Sequence, residues 1–367
     1  MKIGIMSMQR ITNYGSYMQA FALKTMLEDL GNTVVFVDYK VDMLAKTKKT
    51  YNEKNLKKLR LLKRYIRIRK KSETPKPLSA RDKVFEKAYS QIGIEPCRKF
   101  RTRVDVLVVG SDEVFNCLQS NPDVGYSLEL FGKNNRAKKL ISYAASFGDT
   151  TIERLKEYGF TDEVAYYLRR FNALSVRDRN SKHVVEELID SVPFEHLDPT
   201  LVGGIENFQW KQCNKKEYIA VYGYGNRFNE EEGAAIINFA QKRNLNIVIL
   251  NAPQKFANEY ILCKPDEIFG YFQNADYIVT DTFHGTIFSV LFHKPVAVFS
   301  RSPKDVDYSN ENKLLDLVER LGIESQLVLD PSELEEVLLN DIDYSRIDNI
   351  RQKERIRTIN YLKEYCS

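Results

Sequence analysis

Cysteine is sparse and scattered: Cys97, Cys117, Cys213, Cys263 and Cys366 stand far apart, with no CxxC pair. That argues against a zinc ribbon and a disulfide framework, and it suits a reducing compartment. No apolar run approaches the roughly 20 residues that a membrane-spanning helix needs. The opening residues, Met1-Lys2-Ile3-Gly4-Ile5, turn polar too soon for a secretory leader, so a cytoplasmic location is expected. The GxGxxG fingerprint is missing, which removes support from a nicotinamide- or flavin-binding reading. There is no internal repeat and no low-complexity tract. No metal-ligand cluster is apparent either, so neither a metal nor a cofactor is expected.

What is present is an α/β alternation. At 367 residues the length favours two domains over one. The net charge of +5 is unevenly placed, because Lys40 to Lys71 carries fourteen Lys or Arg against only Asp42 and Glu53. Within it, Lys54 to Lys71 interleaves basic residues with Leu59, Leu62 and Ile66 at near-helical spacing. Such a segment fits peripheral contact with an anionic membrane, or with an acidic polymer, and equally a solvated connecting helix packed by its leucines.

The organising stretch runs from Asp276 to Phe299. Tyr277 to Val279 reads as a buried parallel strand, Asp281 and Thr282 as helix N-caps, Ile287 to Phe292 as helix, and Pro295 as its stop before the strand Val296 to Phe299. In such a unit the strand's carboxyl end and the helix's amino end meet at the ligand crevice, where exposed N–H groups favour an anion. His284 sits in that loop, and a histidine changes charge near neutral pH. The plain alternative is a capping or packing role.

The same strand-to-loop pattern recurs. Ile3 to Ser7 runs into Asn13-Tyr14-Gly15-Ser16 and a helix over Tyr17 to Leu27, followed by the strand Val34 to Tyr39; the loop offers either backbone N–H groups to a ligand or an ordinary N-cap turn. Val104 to Val109 runs into Gly110-Ser111-Asp112, placing Asp112 on the crevice side, or else capping a tight turn. Lys139 to Ala145 ends in Ser146-Phe147-Gly148. Ala173 to Val176 ends in Arg177, a cation suited to a carboxylate or phosphate, or to surface salt bridges with its neighbours. The polar run after Gly203-Gly204 reads as a linker. The expected domains are 1–205, with a basic helical insertion at about 40–75, then 215–340, then a C-terminal helix over 341–367. Two successive α/β halves imply two Rossmann-like domains facing a cleft, with His284 from the second half and Asp112, Ser146 and Arg177 from the first.

Six of these motifs, in order, resemble the polysaccharide pyruvyl transferase family: Asn13-Tyr14-Gly15-Ser16 with Gln19 to Leu23; Val109 to Asp112; Ile141 to Gly148; Ser175 to Asp178; Leu197-Asp198-Pro199-Thr200; and Thr280 to Thr286. The resemblance spans roughly residues 2 to 325. One departure is plain. The family commonly reads Gly-Ser-Asp-Gln-Val-Trp-Asn where this chain has Gly110-Ser111-Asp112-Glu113-Val114-Phe115-Asn116, so Glu113 and Phe115 would alter the acceptor pocket. The resemblance implies a glycosyltransferase-B-like fold, phosphoenolpyruvate as donor, and a saccharide or lipid-linked oligosaccharide acceptor at the inner face of the membrane. Pyruvate would pass to two sugar hydroxyls as a ketal, with release of phosphate and no role for nucleic acid. Catalysis would fall to His284, Arg177 and Asp112, with Asp112 or Asp281 orienting His284. Substrate binding would fall to Asn13, Tyr14, Gly15, Ser111, Ser146, Asp281, Thr282, Gly285 and Thr286. A nucleotide-sugar glycosyltransferase of the same architecture, or a non-catalytic glycan-binding relative, are the alternatives.

Overall fold

Stretches such as Val106-Leu107-Val108-Val109 and Tyr218-Ile219-Ala220-Val221 are apolar at every position, the pattern of strands covered on both faces. In the computed structural model, which describes residues 1–42, 79–119, 121, 123–257, 260–300 and 311–367, they become central strands of two parallel sheets. The first comprises β1 (Lys2–Met6), β2 (Thr33–Phe36), β3 (Val106–Asp112), β4 (Lys139–Ala145), β5 (Ser175–Val176) and β6 (Phe194–Glu195), in the order β2-β1-β3-β4-β5-β6. The second comprises β7 (Tyr218–Tyr222), β8 (Asn246–Leu250), β9 (Tyr277–Thr280), β10 (Val296–Phe299) and β11 (Leu327–Val328), in the order β11-β10-β9-β7-β8. Every described pairing is parallel. The expected basic insertion, including Lys54–Lys71, the segment expected to meet a membrane, lies outside the described residues except for its first few.

In the first half the helices are α1 (Tyr14–Asp29), α2 (Ala80–Tyr89), α3 (Ile152–Tyr158), α4 (Thr161–Leu168), α5 (Arg179–Ile189) and the short α6 (Pro199–Val202). In the second they are α7 (Glu230–Lys242), α8 (Ile268–Asn274), α9 (Phe283–Leu291), α10 (Glu311–Leu321), α11 (Leu334–Leu339) and α12 (Tyr344–Cys366). Their ends follow local chemistry. Ser79 and Asp82 form a capping box at α2, as do Asn229 and Glu232 at α7, and Asp198 caps α6 with Pro199 at its first position. Among the described residues no helix is long and apolar enough to cross a membrane.

Successive strand residues point to opposite faces, and the cores divide accordingly. Ile3, Ile5, Val106 and Val108 join one cluster while Met6, Leu107 and Val109 join another; Ala220, Tyr222 and Ile278 face away from Ile219, Val221 and Val279 in the same manner. Each sheet is thus buried on both faces, a doubly wound α/β arrangement. One of these clusters is common to both halves. It joins Tyr14, Met18 and Leu201 to Tyr222, Phe269 and Phe288, and takes in Tyr361 and Leu362 of the C-terminal helix. Helix α12 returns to the first half, where Tyr361 donates to the Ser142 carbonyl at 2.7 Å and Thr358 pairs with the Tyr143 hydroxyl at 3.2 Å. Polar contacts add to the seam: the Tyr14 hydroxyl donates to the Cys263 carbonyl at 2.6 Å, and Arg81 to Asn251 Oδ1 at 2.6 Å. Truncating a fully buried residue of this core, such as Phe288, would cost about 3–5 kcal/mol.

Candidate active site

The strand order reverses once in each sheet. In the first, β1 lies between β2 and β3; in the second, β7 lies between β8 and β9. Crevices for ligands open at such points, beyond the carboxyl ends of the strands. From the first sheet, the loops after β1 and β3 bring Ser16 and Asp112 together, and the Ser16 hydroxyl donates to Asp112 Oδ2 at 2.8 Å. From the second, the loop after β9 delivers Asp281, Thr282 and His284.

Arg177 follows β5 and Asp198 follows β6, so the sheet order sets them side by side. Arg177 Nη1 donates to Asp198 Oδ2 at 2.6 Å, and its Nη2 lies 3.6 Å from Asp112 Oδ1. His284 approaches from the other half, with Nε2 3.6 Å from the same Asp198 oxygen. The other oxygen of Asp198 accepts from the Thr200 amide at 2.9 Å and the Thr200 hydroxyl at 2.6 Å, which fixes the carboxylate. The imidazole also rests on α1: a Cβ added at Gly15 would fall 2.1 Å from His284 Nδ1, so only glycine fits there. Phe283 lies beneath Arg177, whose Cζ stands 4.4 Å from the ring centroid.

All four charged or ionisable groups are buried. Arg177 is 2 % exposed and Asp198 1 %, against 7 % for Asp112 and 9 % for His284. Burial alone would raise the Asp198 carboxyl, but His284, Arg177 and the Thr200 hydroxyl hold it well below the usual range. Asp112 behaves likewise: burial raises it, and Arg177, His284 and Lys313 outweigh burial and lower it. Burial would lower the Arg177 guanidinium, and Asp198 and Asp112 more than compensate. Several donors are left over. Among the described residues, Arg177 Nε and Nη2, and His284 Nε2, have no hydrogen-bond partner. A buried group with unused capacity is costly and calls for an explanation, and here the unused capacity converges from both halves on one point.

The structure therefore brings His284, Arg177 and Asp112 together, and it changes the expected parts of several neighbours. Asp281 pairs with Arg227 at 2.9 Å, so the carboxylate facing His284 is Asp198 and neither Asp112 nor Asp281. Asn13 accepts from the Gly15 and Ser16 amides at 2.8 and 3.3 Å, so this loop is an N-cap turn and those amides are taken. At the start of α9 the Thr282 amide bonds the Thr280 hydroxyl, the Gly285 amide bonds the Thr282 hydroxyl and the Thr286 amide bonds the Thr282 carbonyl. Three amides expected to meet an anion are thus satisfied within the chain. At Gly285 it is the Thr280 and Thr282 hydroxyls that come close, at 2.1 and 2.6 Å from an added Cβ, rather than a ligand. The Tyr14 hydroxyl is taken by Cys263. Ser146 donates to Asp178 at 2.5 Å and braces a strand end, while Ser111 donates to the Ala144 carbonyl at 2.9 Å and also lies 3.5 Å from Asp198 Oδ2, within the site. Phe115 stacks on Phe131 at 4.8 Å, fully buried inside the core. Among the described residues no group of three or more His, Cys, Asp and Glu is arranged to hold a metal ion.

Asp198, Phe283, Ser16 and Lys313 were not anticipated as site residues. For Asp198 a signal existed: an aspartate directly before proline, with threonine two residues on, marks a capped helix start whose carboxylate is held at a strand's end.

With its site at the meeting of two switch points, the molecule falls in the class of doubly wound α/β proteins built from two parallel sheets. The chain belongs to the polysaccharide pyruvyl transferase family, whose sequence profile matches residues 13–303. No curated protein matches it in sequence. Solved structures that follow a similar course include the glycotransferase of kitacinnamycin, at 12% identity and TM-score 0.46, covering 99% of this chain and 98% of that one. The S. aureus MnaA–UDP structure is 13% identical with TM-score 0.46, covering 100% and 96%. The UDP-GlcNAc 2-epimerase of Methanocaldococcus jannaschii is 13% identical with TM-score 0.45, covering 98% and 100%.

Proposed function

We propose that the protein transfers pyruvate from phosphoenolpyruvate to two hydroxyls of a saccharide, forming a cyclic ketal and releasing phosphate. The observation that carries this reading is the meeting of His284 Nε2 and Arg177 Nη1 on one oxygen of Asp198, across the two halves, with Arg177 Nε and Nη2 left without a hydrogen bond among the described residues. In the reaction the methylene carbon of the donor takes a proton and becomes a methyl group, which leaves an oxocarbenium centre at the carbon bearing phosphate. One hydroxyl adds there and loses its proton. The C–O bond to phosphate breaks, and the second hydroxyl adds and loses its proton. Of the two protons released, one balances that taken up by carbon and the other leaves on phosphate, so the sum closes without an oxidant, a reductant or a cofactor.

His284 is the proton carrier, a role that contributes typically 10²- to 10⁴-fold. The free Nε–Nη2 edge of Arg177 is a planar fork suited to the donor's carboxylate. Asp198 positions both cationic partners, and Asp112, held by Ser16, stands next to the same guanidinium. The acceptor is read as a cell-surface or exopolysaccharide precursor handled in the cytoplasm, in free or lipid-linked form. The amphipathic basic sequence at 54–71 fits an acceptor anchored at an anionic membrane face.

The test is release of inorganic phosphate from phosphoenolpyruvate by the pure full-length protein, across a panel of saccharide acceptors. Acceptor-dependent release is expected, with Arg177→Ala losing about 10²-fold or more in kcat/KM, the scale of losing a buried ionic contact to substrate. Binding of a nucleotide diphosphate, with neither binding nor turnover of phosphoenolpyruvate, would move the assignment to a nucleotide-sugar transferase.

A further inference from the structure

Beside the site, a second cation crosses from one half to the other. Lys313, in the first turns of α10, pairs with Glu113, the residue after Asp112. Both are largely buried, with side-chain exposures of 10 % and 17 %. The Lys313 ammonium also lies 5.8 Å from the centroid of the Phe283 ring, the same ring that carries Arg177 at 4.4 Å. Lys313 falls outside the residues that define the family match.

This pair has no evident role in stability. Drawing two charges out of water costs several kcal/mol per ion, and well-packed apolar residues do as well or better. The surroundings are also unbalanced. Three carboxylates (Asp112, Glu113 and Asp198) face two permanent cations, and burial disfavours the Lys313 charge while Glu113 sustains it and Arg177 opposes it. Glu113 has a second partner to rest on: Asn116 Nδ2 donates to its Oε2 at 2.8 Å and is itself held by Asp149 at 3.0 Å. Lys313 has none among the described residues; Glu113 alone accepts from an ammonium with three N–H donors.

We propose that Lys313 is the second cation of the donor site, taking the phosphate while Arg177 takes the carboxylate, and that Glu113 is a resident counter-ion which the donor displaces. This rests on the reading of the donor given above. A donor with two anionic groups on one carbon needs two separated cations, and the Phe283 ring supports both. When the phosphate arrives, Lys313 turns its free N–H groups to it and Glu113 stays on Asn116. No bond is made or broken in this exchange. Between turnovers Glu113 balances the Lys313 charge while Asp198 balances Arg177, so the buried ammonium is not left uncompensated.

The experiment is calorimetric titration of the full-length protein with phosphoenolpyruvate and, separately, with inorganic phosphate. Lys313→Met is expected to weaken phosphoenolpyruvate binding about tenfold or more and to abolish phosphate binding, while Lys313→Arg keeps both. Glu113→Gln, which leaves the Asn116 bond possible and removes the competing charge, is expected to bind phosphate several-fold more tightly. If Lys313→Met folds and binds both ligands as wild type does, the proposal is overturned. Should that variant fail to melt cooperatively, Glu113→Gln decides, since unchanged or weaker phosphate binding overturns the displacement. Wild-type binding of phosphate without phosphoenolpyruvate would sink the donor assignment and leave the Lys313 site standing. Binding of neither would sink both.

Discussion

Two histidines are buried within the same first-sheet neighbourhood, and they are opposites. His196 is 2 % exposed; its Nδ1 pairs with the Ser175 hydroxyl at 2.8 Å, and its ring packs on Tyr361 at 4.7 Å and Tyr143 at 5.6 Å. Burial, reinforced by Arg357 and Arg320, pushes its pKa down to about 4. His284 is buried to a similar degree but is reached from both halves of the chain, faces a carboxylate, and keeps Nε2 unpartnered. Burial therefore does not distinguish a working imidazole from a structural one. What distinguishes it is an unused nitrogen beside a fixed counter-charge, where the two halves of the chain pack together.

The sharpest way to break this contrast is to exchange the outcomes. His284→Ala is expected to lower kcat for acceptor-dependent phosphate release by about 10²- to 10⁴-fold. His196→Phe, which suits the ring's aromatic neighbours, is expected to leave kcat within about threefold, since an apolar swap of similar volume disturbs packing modestly. Steady-state phosphate release for the two variants side by side settles it. Comparable losses in both would mean that the unpartnered nitrogen is not what matters.

Next in size is the carboxylate between the halves. Asp198→Ala removes the partner of a fully buried guanidinium, and leaving such a charge unpaired costs about 3–5 kcal/mol. Asp281→Ala, beside His284 in sequence but paired with the more exposed Arg227, is expected to cost less, about 1–3 kcal/mol. Urea denaturation of both variants at neutral pH gives the order. The reverse order would show that the second half, and not the Asp198 junction, anchors the site.

That order also explains what the sequence disclosed. The unit over Tyr277 to Phe299 was legible because every signal in it is local: a β-branched run, a capping threonine, a proline stop. His284, Arg177 and Asp112 were legible for the same reason, each lying at or just past the carboxyl end of a strand. Asp198 was not, because its place beside Arg177 depends on β5 and β6 being neighbours in space, which no spacing along the chain encodes. Lys313 reaches Glu113 through the docking of a helix from the far half, across 200 residues of chain. Phe115 failed in the other direction: it sits two residues past Glu113, near the cleft in sequence, but its ring turns into the cluster of Phe131, Phe147 and Phe171. A strand end reports that a residue is near the crevice, and side-chain direction beyond that end is set by packing.

The smallest effect concerns His196 and pH. In the unfolded chain a histidine titrates near 6.5; in the fold His196 does so at about 4. Between those values the unfolded state binds the extra proton, so the contribution is fully present above 6.5 and is lost as pH falls toward 4, by on the order of 3 kcal/mol in all. Asp316 works against it over an overlapping range. Burial, with Asp178 nearby, lifts its carboxyl to about 6 despite Arg320, so its contribution is present at acid pH and is lost as pH rises toward 6. The wild-type curve is consequently flatter than His196 alone would make it, and the informative quantity is the gap between wild type and His196→Phe. At pH 7 the variant is expected to be less stable by about 1–2 kcal/mol, because the Ser175 hydroxyl loses its partner. At pH 5 the gap should close or reverse, since only the wild type still has a histidine to protect from protonation. Urea unfolding at the two pH values measures it, and a gap of constant size would mean that His196 takes a proton in the fold as readily as in the unfolded chain, so that burial does not hold it neutral.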